Sequence, residues 1–286
     1  MALEFFPAKP EHTSELGRIC YEAFKDISDR HHFPSDFTSA AMGRMIMGLL
    51  TGREDVYGVA AMMDGQPAGS NFLMVADEVG GLGPISVEVS MQGQGIGRAL
   101  MRNVIVHAKE AGVEKVRLLQ DSFNMTSLSL YASLGFDTKE PVAVMQPSPG
   151  DRPDESVRAV TEADLEEVAE LSRQIYKVSR RNEVASGITG PFRPFLRERN
   201  GRIAGYYILG IAGHGVAETE DDLVALVRET ARQMPPDFHR VLCPLTEGDL
   251  YRKLLANGCR NIKVMNLMAL GPYERPDGAW LPSVLY

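Results

Sequence analysis

The sequence has few cysteines and no excess of basic residues, and each absence excludes a class of protein. Its three cysteines stand at positions 20, 243 and 259 and form no CxxC pair. No zinc site or other metal site is therefore predicted, and a reduced, cytoplasmic setting is favoured. The chain carries 30 Lys and Arg against 38 Asp and Glu, a net charge of −8. A nucleic-acid partner is not expected from such a balance.

Long apolar runs are also missing. No segment approaches the roughly 18 apolar residues that a membrane span requires. The opening "MALEFFPAKPEH" has no basic start followed by an apolar stretch, so we expect no signal peptide. We therefore predict neither a membrane-spanning segment nor secretion of the protein.

The composition that is present is that of a globular protein, with 44% apolar and 24% charged residues. A length of 286 residues favours two domains. The segment "QPSPGDRPDE" at 146–155 is typical of a linker. It separates two stretches in which strand-like and helix-like segments follow in a similar order. The segment "SLSLYASLGF" in the first stretch corresponds to "EGDLYRKLLANGC" in the second. We predict two copies of one α+β unit, over residues 1–148 and 149–286.

Hydrophobic periodicity predicts the elements of the first copy. The strands are read from "VYGVAAMMDGQPAGSNFLMV", a hairpin that turns at Asp64-Gly65, and from "GPISVEVSM", "EKVRLLQ" and "PVAVMQ". The helices are predicted at 12–30, 36–51, 96–111 and 125–134. This order predicts a mixed, mostly antiparallel sheet flanked by helices.

A glycine-rich loop stands between a predicted strand and helix, in "SMQGQGIGRALM". A Rossmann loop or a Walker loop would need a glycine where Arg98 stands, so both fail. The pattern Gln/Arg-x-x-Gly-x-Gly fits Gln92, Gly95 and Gly97. A helix N-terminus presents unpaired N–H groups to which a diphosphate can bind directly when no side chains intervene.

A second motif, "NMTSLSLYASLGF", follows after one helix and one strand. Asn124, Tyr131, Gly135 and Phe136 match the signature Asn-x-x-Ala-x-x-x-Tyr-x-x-x-Gly-Phe, with Ser127 in place of alanine. In this ordered pair of motifs the chain resembles the GNAT acyltransferase superfamily, strongly in its first half and weakly in its second.

The resemblance implies that the loop binds the pyrophosphate of acetyl-CoA through a set of consecutive residues: Gln92, Gly93, Gln94, Gly95, Ile96, Gly97 and Arg98. It further implies that the pantetheine arm contacts Asn124 and the backbone of Val87, Glu88 and Val89, where a free N–H could stabilise the tetrahedral oxyanion. It also implies that Tyr131 directs its hydroxyl toward the thioester sulfur. The family often has proline where Val89 or Ser90 stands, so the bulge of this strand is an assumption.

Other residues carry weaker hypotheses. Glu88 is the nearest candidate base for an attacking amine, although it can equally be a solvated strand residue. His31-His32 is expected to be a polar loop near the substrate cleft rather than a metal ligand, and the many methionines are expected to fill the core. No acyl-enzyme nucleophile is predicted, because Cys20 lies on an early helix.

The second copy is predicted to be degenerate. It has no Gln/Arg-x-x-Gly-x-Gly, and its helix begins with Glu220, Asp221 and Asp222, which would repel a pyrophosphate. We expect it not to bind acetyl-CoA, but to pack on the first copy and contribute to the wall of the acceptor cleft, with His214 and Tyr251 in structural roles.

The predicted function is transfer of an acetyl group from acetyl-CoA to the amine of a small molecule by direct attack, in a monomer or homodimer. A non-catalytic acyl-CoA sensor and an acetyltransferase acting on a protein amine remain alternatives.

Overall fold

A computed structural model describes residues 2–208, 210, 213–235 and 239–286. The chain forms two compact units. The first comprises residues 1–118 and 123–136, and the second comprises residues 119–122 and 137–286.

The first unit contains four helices and most of six strands. Its helices are α1 (Thr13–His31), α2 (Ala40–Thr51), α3 (Ile96–Glu110) and α4 (Met125–Ser133). Its strands are β1 (Leu3–Pro7), β2 (Val56–Met63), β3 (Gln66–Met74), β4 (Val79–Leu82), β5 (Ser86–Val87) and β6 (Lys115–Asp121), of which residues 119–121 lie in the second unit.

Strands β1 to β4 are antiparallel neighbours, β6 pairs with β4 in parallel, and β5 pairs with β3. The predicted hairpin is confirmed as β2–β3. Asp64 and Gly65 both have positive φ, 49° and 79°, as a two-residue hairpin turn requires. The predicted strand "GPISVEVSM" is wrong in extent, because only Ser86 and Val87 are extended and a 3₁₀ turn follows at 89–91.

The second unit has four α-helices and eight strands within the described ranges. Its helices are α5 (Leu165–Tyr176), α6 (Arg181–Thr189), α7 (Glu220–Thr230) and α8 (Gly248–Ala256). Its strands are β7 (Asp137–Gln146), β8 (Val157–Ala159), β9 (Pro194–Arg199), β10 (Arg202–Ile208), β11 (Gly215–Ala217), β12 (Val241–Pro244), β13 (Arg260–Leu270) and β14 (Ala279–Leu281). The mixed α+β fold class predicted from the sequence is confirmed.

Strands from the two halves of the sequence interleave within the second unit. β7 pairs with both β12 and β13. β13 in turn lies beside the end of β6, where the Lys263 ammonium contacts the Asp121 carboxylate at 2.6 Å. The segment 147–156 contains neither helix nor strand. The sequence boundary at 148/149 therefore differs from the division into compact units, which places β7 with the second unit.

The remaining strands of the second unit form a sheet in the order β14-β11-β10-β9-β8. Here β14 pairs with β11. Trp280 on β14 is fully buried.

Two histidines of the second unit are buried. His214 is fully buried, with Nε2 at 3.0 Å from the Tyr206 hydroxyl, and burial, reinforced by Arg180, holds its pKa well below the usual range. Burial and Arg240 lower the pKa of His239 to about 4. A neutral, buried His214 is consistent with the predicted structural role.

None of the helices in the described ranges combines the length and the apolar character needed to cross a bilayer.

Candidate active site

The glycine loop leads into helix α3 through two residues in the left-handed region. Gly93 has φ 78° and Gly95, the N-cap of α3, has φ 86°. A Cβ added at either position would meet no atom within 4 Å. These glycines are therefore required by backbone conformation and not by crowding within the protein. The space beside them is open.

The first N–H groups of α3 have no acceptor within the helix, as at every helix start. The first intrahelical bond runs from the Ala99 N–H to the Gly95 carbonyl oxygen at 3.1 Å. No acidic residue occupies the first turn. Gln94 and Gly95 are exposed, whereas Ile96 is buried and anchors the turn. The loop thus presents backbone donors and the partial positive charge of the helix to open space.

Strand β5 ends beside this loop. The Glu88 N–H donates to the Ala68 carbonyl oxygen at 2.9 Å, and the Glu88 carbonyl accepts from the Met91 N–H at 2.8 Å. Both backbone groups of Glu88 are thus engaged within the protein. The amide of Gln92 donates to the Val87 carbonyl oxygen at 3.3 Å, which ties the loop to the strand end.

The second motif places a helix against the same loop. A Cβ added at Gly97 would lie 3.7 Å from Leu130 Cδ2 on α4 and 3.7 Å from Val87 Cγ2 on β5. The loop, the strand end and α4 therefore meet at Gly97. The structure brings together the three segments that the sequence singled out separately.

Asn124 and Tyr131 stand at the two ends of α4. Asn124 is the N-cap, and its Oδ1 accepts from the Ser127 N–H at 3.1 Å. Asn124 thus lies one residue before Met125, the first residue of the helix. Tyr131 lies in the last turn and is 7% exposed, with its ring 6.2 Å from that of Phe136.

The end of the second motif is a glycine cap. The N–H groups of Gly135 and Phe136 donate to the carbonyl oxygens of Ala132 and Tyr131, both at 3.1 Å. Gly135 has φ 94° and Phe136 is buried. These two residues of the motif thus hold the C-terminus of α4 in place.

A charged cluster that sequence reasoning missed lies on the other side of β5. Arg18 on α1 donates from Nη2 to Glu88 Oε2 at 2.8 Å and to Glu15 Oε1 at 2.6 Å, and from Nη1 to Glu22. The hydrogen bonds that Arg18 donates to Glu15, and then to Glu88, raise the pKa of Arg18, and Arg18 lowers the pKa of Glu15. The i, i±3 and i, i±4 spacing within α1 predicts the pairs of Arg18 with Glu15 and Glu22. No local pattern predicts the contact with Glu88, which lies 70 residues away.

Cys20 and the two histidines do not form a reactive centre. Cys20 is fully buried, and burial raises the pKa of its thiol. The His31 ring packs at 5.3 Å from that of Phe123, and His32 ends α1 in the left-handed conformation. Among the described residues no group of three or more His, Cys, Asp or Glu could hold a metal ion.

The corresponding helix of the second unit begins differently. Thr219 caps α7 by accepting from the Asp222 N–H at 3.2 Å, and Asp222 accepts from the Thr219 hydroxyl at 2.6 Å. Arg199 contacts Asp222 at 3.2 Å. The start of α7 thus carries carboxylates that already have partners. Residues 209, 211 and 212 of the predicted degenerate loop lie outside the described ranges.

The acetyltransferase (GNAT) family model matches residues 17–136. Mycothiol acetyltransferase of Thermomonospora curvata is 38% identical over 90 residues, 31% of this chain and 30% of that protein. The matched region thus spans less than a third of the length of this curated relative.

Solved structures share the fold over nearly the whole chain. A candidate acetyltransferase from Pyrococcus horikoshii has a TM-score of 0.78 at 14% identity, covering 99% of this chain and 94% of that one. A GCN5-related N-acetyltransferase from Sphaerobacter thermophilus has a TM-score of 0.58 at 15% identity, covering 97% and 98%.

The matched range contains both motifs and all the elements that meet at Gly97. Residues 17–136 are therefore the part of this chain that is similar to the acetyltransferase (GNAT) family.

Proposed function

We propose that the chain transfers the acetyl group of acetyl-CoA to the amine of a small-molecule acceptor. The observation that carries this proposal is the open N-terminus of α3, where Gly93 and Gly95 leave the backbone donors uncovered. A diphosphate is the kind of ligand that such a helix start accepts.

The pyrophosphate of acetyl-CoA would bind the N–H groups of residues 93–98, with the Arg98 guanidinium adding a positive charge. The pantetheine arm would run along the end of β5. Its backbone partners would be the N–H groups of Val87 and Val89, because both backbone groups of Glu88 and the carbonyl oxygens of Val87 and Val89 already have partners. Asn124, at the start of α4, would contact the arm through its amide.

The chemistry would be direct attack of the amine nitrogen on the thioester carbonyl. The tetrahedral intermediate collapses with cleavage of the C–S bond, and the departing thiolate takes a proton. Tyr131 is proposed to supply that proton. A covalent acyl-enzyme route has little support, since Cys20 is buried with a raised pKa.

Glu88 is the proposed acceptor of the proton that the attacking amine loses. Its carboxylate lies at the end of β5, and one of its oxygens is held by Arg18. The cluster of Arg18 with Glu15, Glu22 and Glu88 has an excess of negative charge, and this favours a cationic amine over an anionic acceptor.

We expect Glu88→Gln to lower kcat about 100-fold, because the amide keeps the shape of the side chain but accepts no proton. The measurement is steady-state turnover at saturating acetyl-CoA. Glu15→Gln is the matched control, since Glu15 also binds Arg18 but its side chain is more exposed than that of Glu88. Unchanged turnover in Glu88→Gln, or an equal loss in both variants, would refute the role of a base.

The second unit is proposed to bind no acetyl-CoA. At the start of α7, Asp222 contacts Thr219 and Arg199, and Glu220 and Asp221 contact Lys253. A pyrophosphate there would meet these carboxylates, which carry like charge. We also propose that the two halves of the sequence, 1–148 and 149–286, are diverged copies of one unit, because their helices and strands follow in the same order.

A small-molecule acceptor is favoured by the relatives named mycothiol acetyltransferase. An acyl-CoA sensor and an enzyme acting on a protein amine are the competing functions. Incubation with acetyl-CoA and a panel of amines separates the three, with free thiol and the mass of the product as readouts.

We expect thiol release with a small amine and an N-acetylated product. Release only with peptides bearing a free amino group would favour the protein-amine alternative. Binding of acetyl-CoA without release for any class of amine would overturn the proposal in favour of a sensor.

A further inference from the structure

Arg18 stands in the second turn of α1 and holds the carboxylate of Glu88, the proposed base. Its Nη2 donates to Glu88 Oε2 at 2.8 Å and to Glu15 Oε1 at 2.6 Å, and its Nη1 donates to Glu22. Its Nε also donates to both carboxylate oxygens of Glu15, each at 3.3 Å. Two carboxylates of its own helix therefore fix the guanidinium at the point where it meets Glu88.

Glu88 has the most buried side chain of this cluster. It is 15% exposed, against 37% for Arg18, 45% for Glu15 and 42% for Glu22. Solvent screens a partly buried ion pair less than an exposed one, and a hydrogen bond between charged groups is stronger than one between neutral groups. The contact with Arg18 is therefore expected to fix the carboxylate of Glu88 more firmly than those of the two exposed glutamates.

The two carboxylate oxygens of Glu88 differ in their surroundings. Within the part of the chain that the structure describes, Oε2 accepts from Arg18, whereas Oε1 makes no hydrogen bond. The backbone of the residue is fixed as well, through the bonds of its N–H to Ala68 and of its carbonyl oxygen to Met91. A group that is to accept a proton in a reaction must be uncovered and must also be held in position. Oε1 meets both conditions.

We propose that Arg18 is the positioning residue of Glu88, and that by holding Oε2 it directs Oε1 at the attacking amine. The N–H bond of the amine breaks as its nitrogen attacks the thioester, and the proton goes to Oε1 while Oε2 stays on the guanidinium. Arg18 touches neither substrate and acts only through Glu88. The inference rests on the proposed function, and it adds to that function a residue outside both sequence motifs.

The test is a double-mutant cycle of Arg18→Met and Glu88→Gln in the full chain. Methionine keeps much of the apolar stem of arginine but donates no hydrogen bond. We expect Arg18→Met to lower kcat about tenfold or more, because a hydrogen bond between charged groups is lost. In the Glu88→Gln background the same substitution should lower kcat no further, since no base is left to position.

The measurements are steady-state turnover at saturating acetyl-CoA, with the small amine of the panel that reacts fastest, and the Kd for acetyl-CoA by calorimetry. We expect that Kd to be unchanged in Arg18→Met, because Arg18 does not contact the cosubstrate. Arg18→Gln takes the place of Arg18→Met in the cycle if the methionine variant does not fold.

Arg30→Met is the matched control. It removes a guanidinium from the last turn of the same helix, where Arg30 pairs with Asp26 at 2.7 Å, and turnover should be unchanged. An equal loss of turnover in Arg30→Met would overturn the inference, because any ion pair of α1 would then have the same effect.

Two further results would also overturn the inference. One is full turnover in a folded Arg18→Met variant. The other is a further tenfold loss when Arg18→Met is added to Glu88→Gln, because Arg18 would then act without Glu88. The proposed function stands in each of these cases, whereas a lack of acetyl transfer by the unmodified chain would refute that function and the inference with it.

Discussion

Replacement of Tyr131 by phenylalanine is expected to lower kcat by about 10²–10⁴-fold. The hydroxyl would protonate the departing thiolate of coenzyme A, and phenylalanine removes that group while keeping the ring. The affinity for acetyl-CoA should change little, since binding rests on the loop and the strand backbone. The measurement is single-turnover and steady-state acetyl transfer, together with the Kd for acetyl-CoA.

Tyr251→Phe is the matched control. It removes a phenol hydroxyl from the second unit, where Tyr251 accepts a hydrogen bond from Asn261, and turnover should be unchanged. A purely structural Tyr131 would lower the melting temperature of Tyr131→Phe without changing the turnover of the folded fraction. Full turnover in a folded Tyr131→Phe variant would contradict the assignment and favour the sensor.

Replacement of Gly95 by aspartate is expected to weaken acetyl-CoA binding about 100-fold or more. The carboxylate would take the place of the diphosphate at the N-terminus of α3 and repel it. The new side chain must also adopt the left-handed conformation of Gly95, at φ 86°, so the free energy of unfolding is expected to fall by about 1 kcal/mol. Thermal unfolding of the variant measures that loss beside the loss of affinity measured by calorimetry.

Gly95→Asn is the matched control, because asparagine has the same shape without the charge. We expect it to retain most of the affinity that Gly95→Asp loses. If both substitutions weaken acetyl-CoA binding equally, the loss comes from the bulk of the new side chain and not from repulsion between its charge and the diphosphate. If Gly95→Asp binds acetyl-CoA as tightly as the unmodified chain, the loop is only a turn and does not bind the diphosphate.

The hairpin and the four helices of the first unit could be predicted from local pattern. Asp64-Gly65 specifies a turn by itself, and the apolar face of α3 follows from residue spacing. The start of α2 could not be placed as well. The prediction put it at residue 36, but Ser39 caps the helix by accepting from the Met42 N–H at 3.2 Å, so Ala40 is the first helical residue.

The break in β5 is a tertiary effect. "ISVEVS" alternates as a strand should, yet the Glu88 N–H donates to the Ala68 carbonyl oxygen and the chain then turns at 89–91. A single sequence shows the alternation but not the competing partner. The same holds for Glu88 itself, whose contact with Arg18 depends on how α1 packs beside β5.

The pairing of β7 with β12 and β13 was also beyond local pattern. The sequence predicts β7 from "PVAVMQ", but it carries no signal for which strands pair with it. The domain boundary was therefore placed at the linker, whereas the compact units are divided by long-range pairing.

The most direct test of the account is titration calorimetry of the full chain with acetyl-CoA. The central claim is that the N-terminus of α3 holds the diphosphate and that the acidic start of α7 does not. The predicted result is one molecule bound per chain, with binding lost in Gly95→Asp. A stoichiometry near two, or no binding at all, would contradict the account.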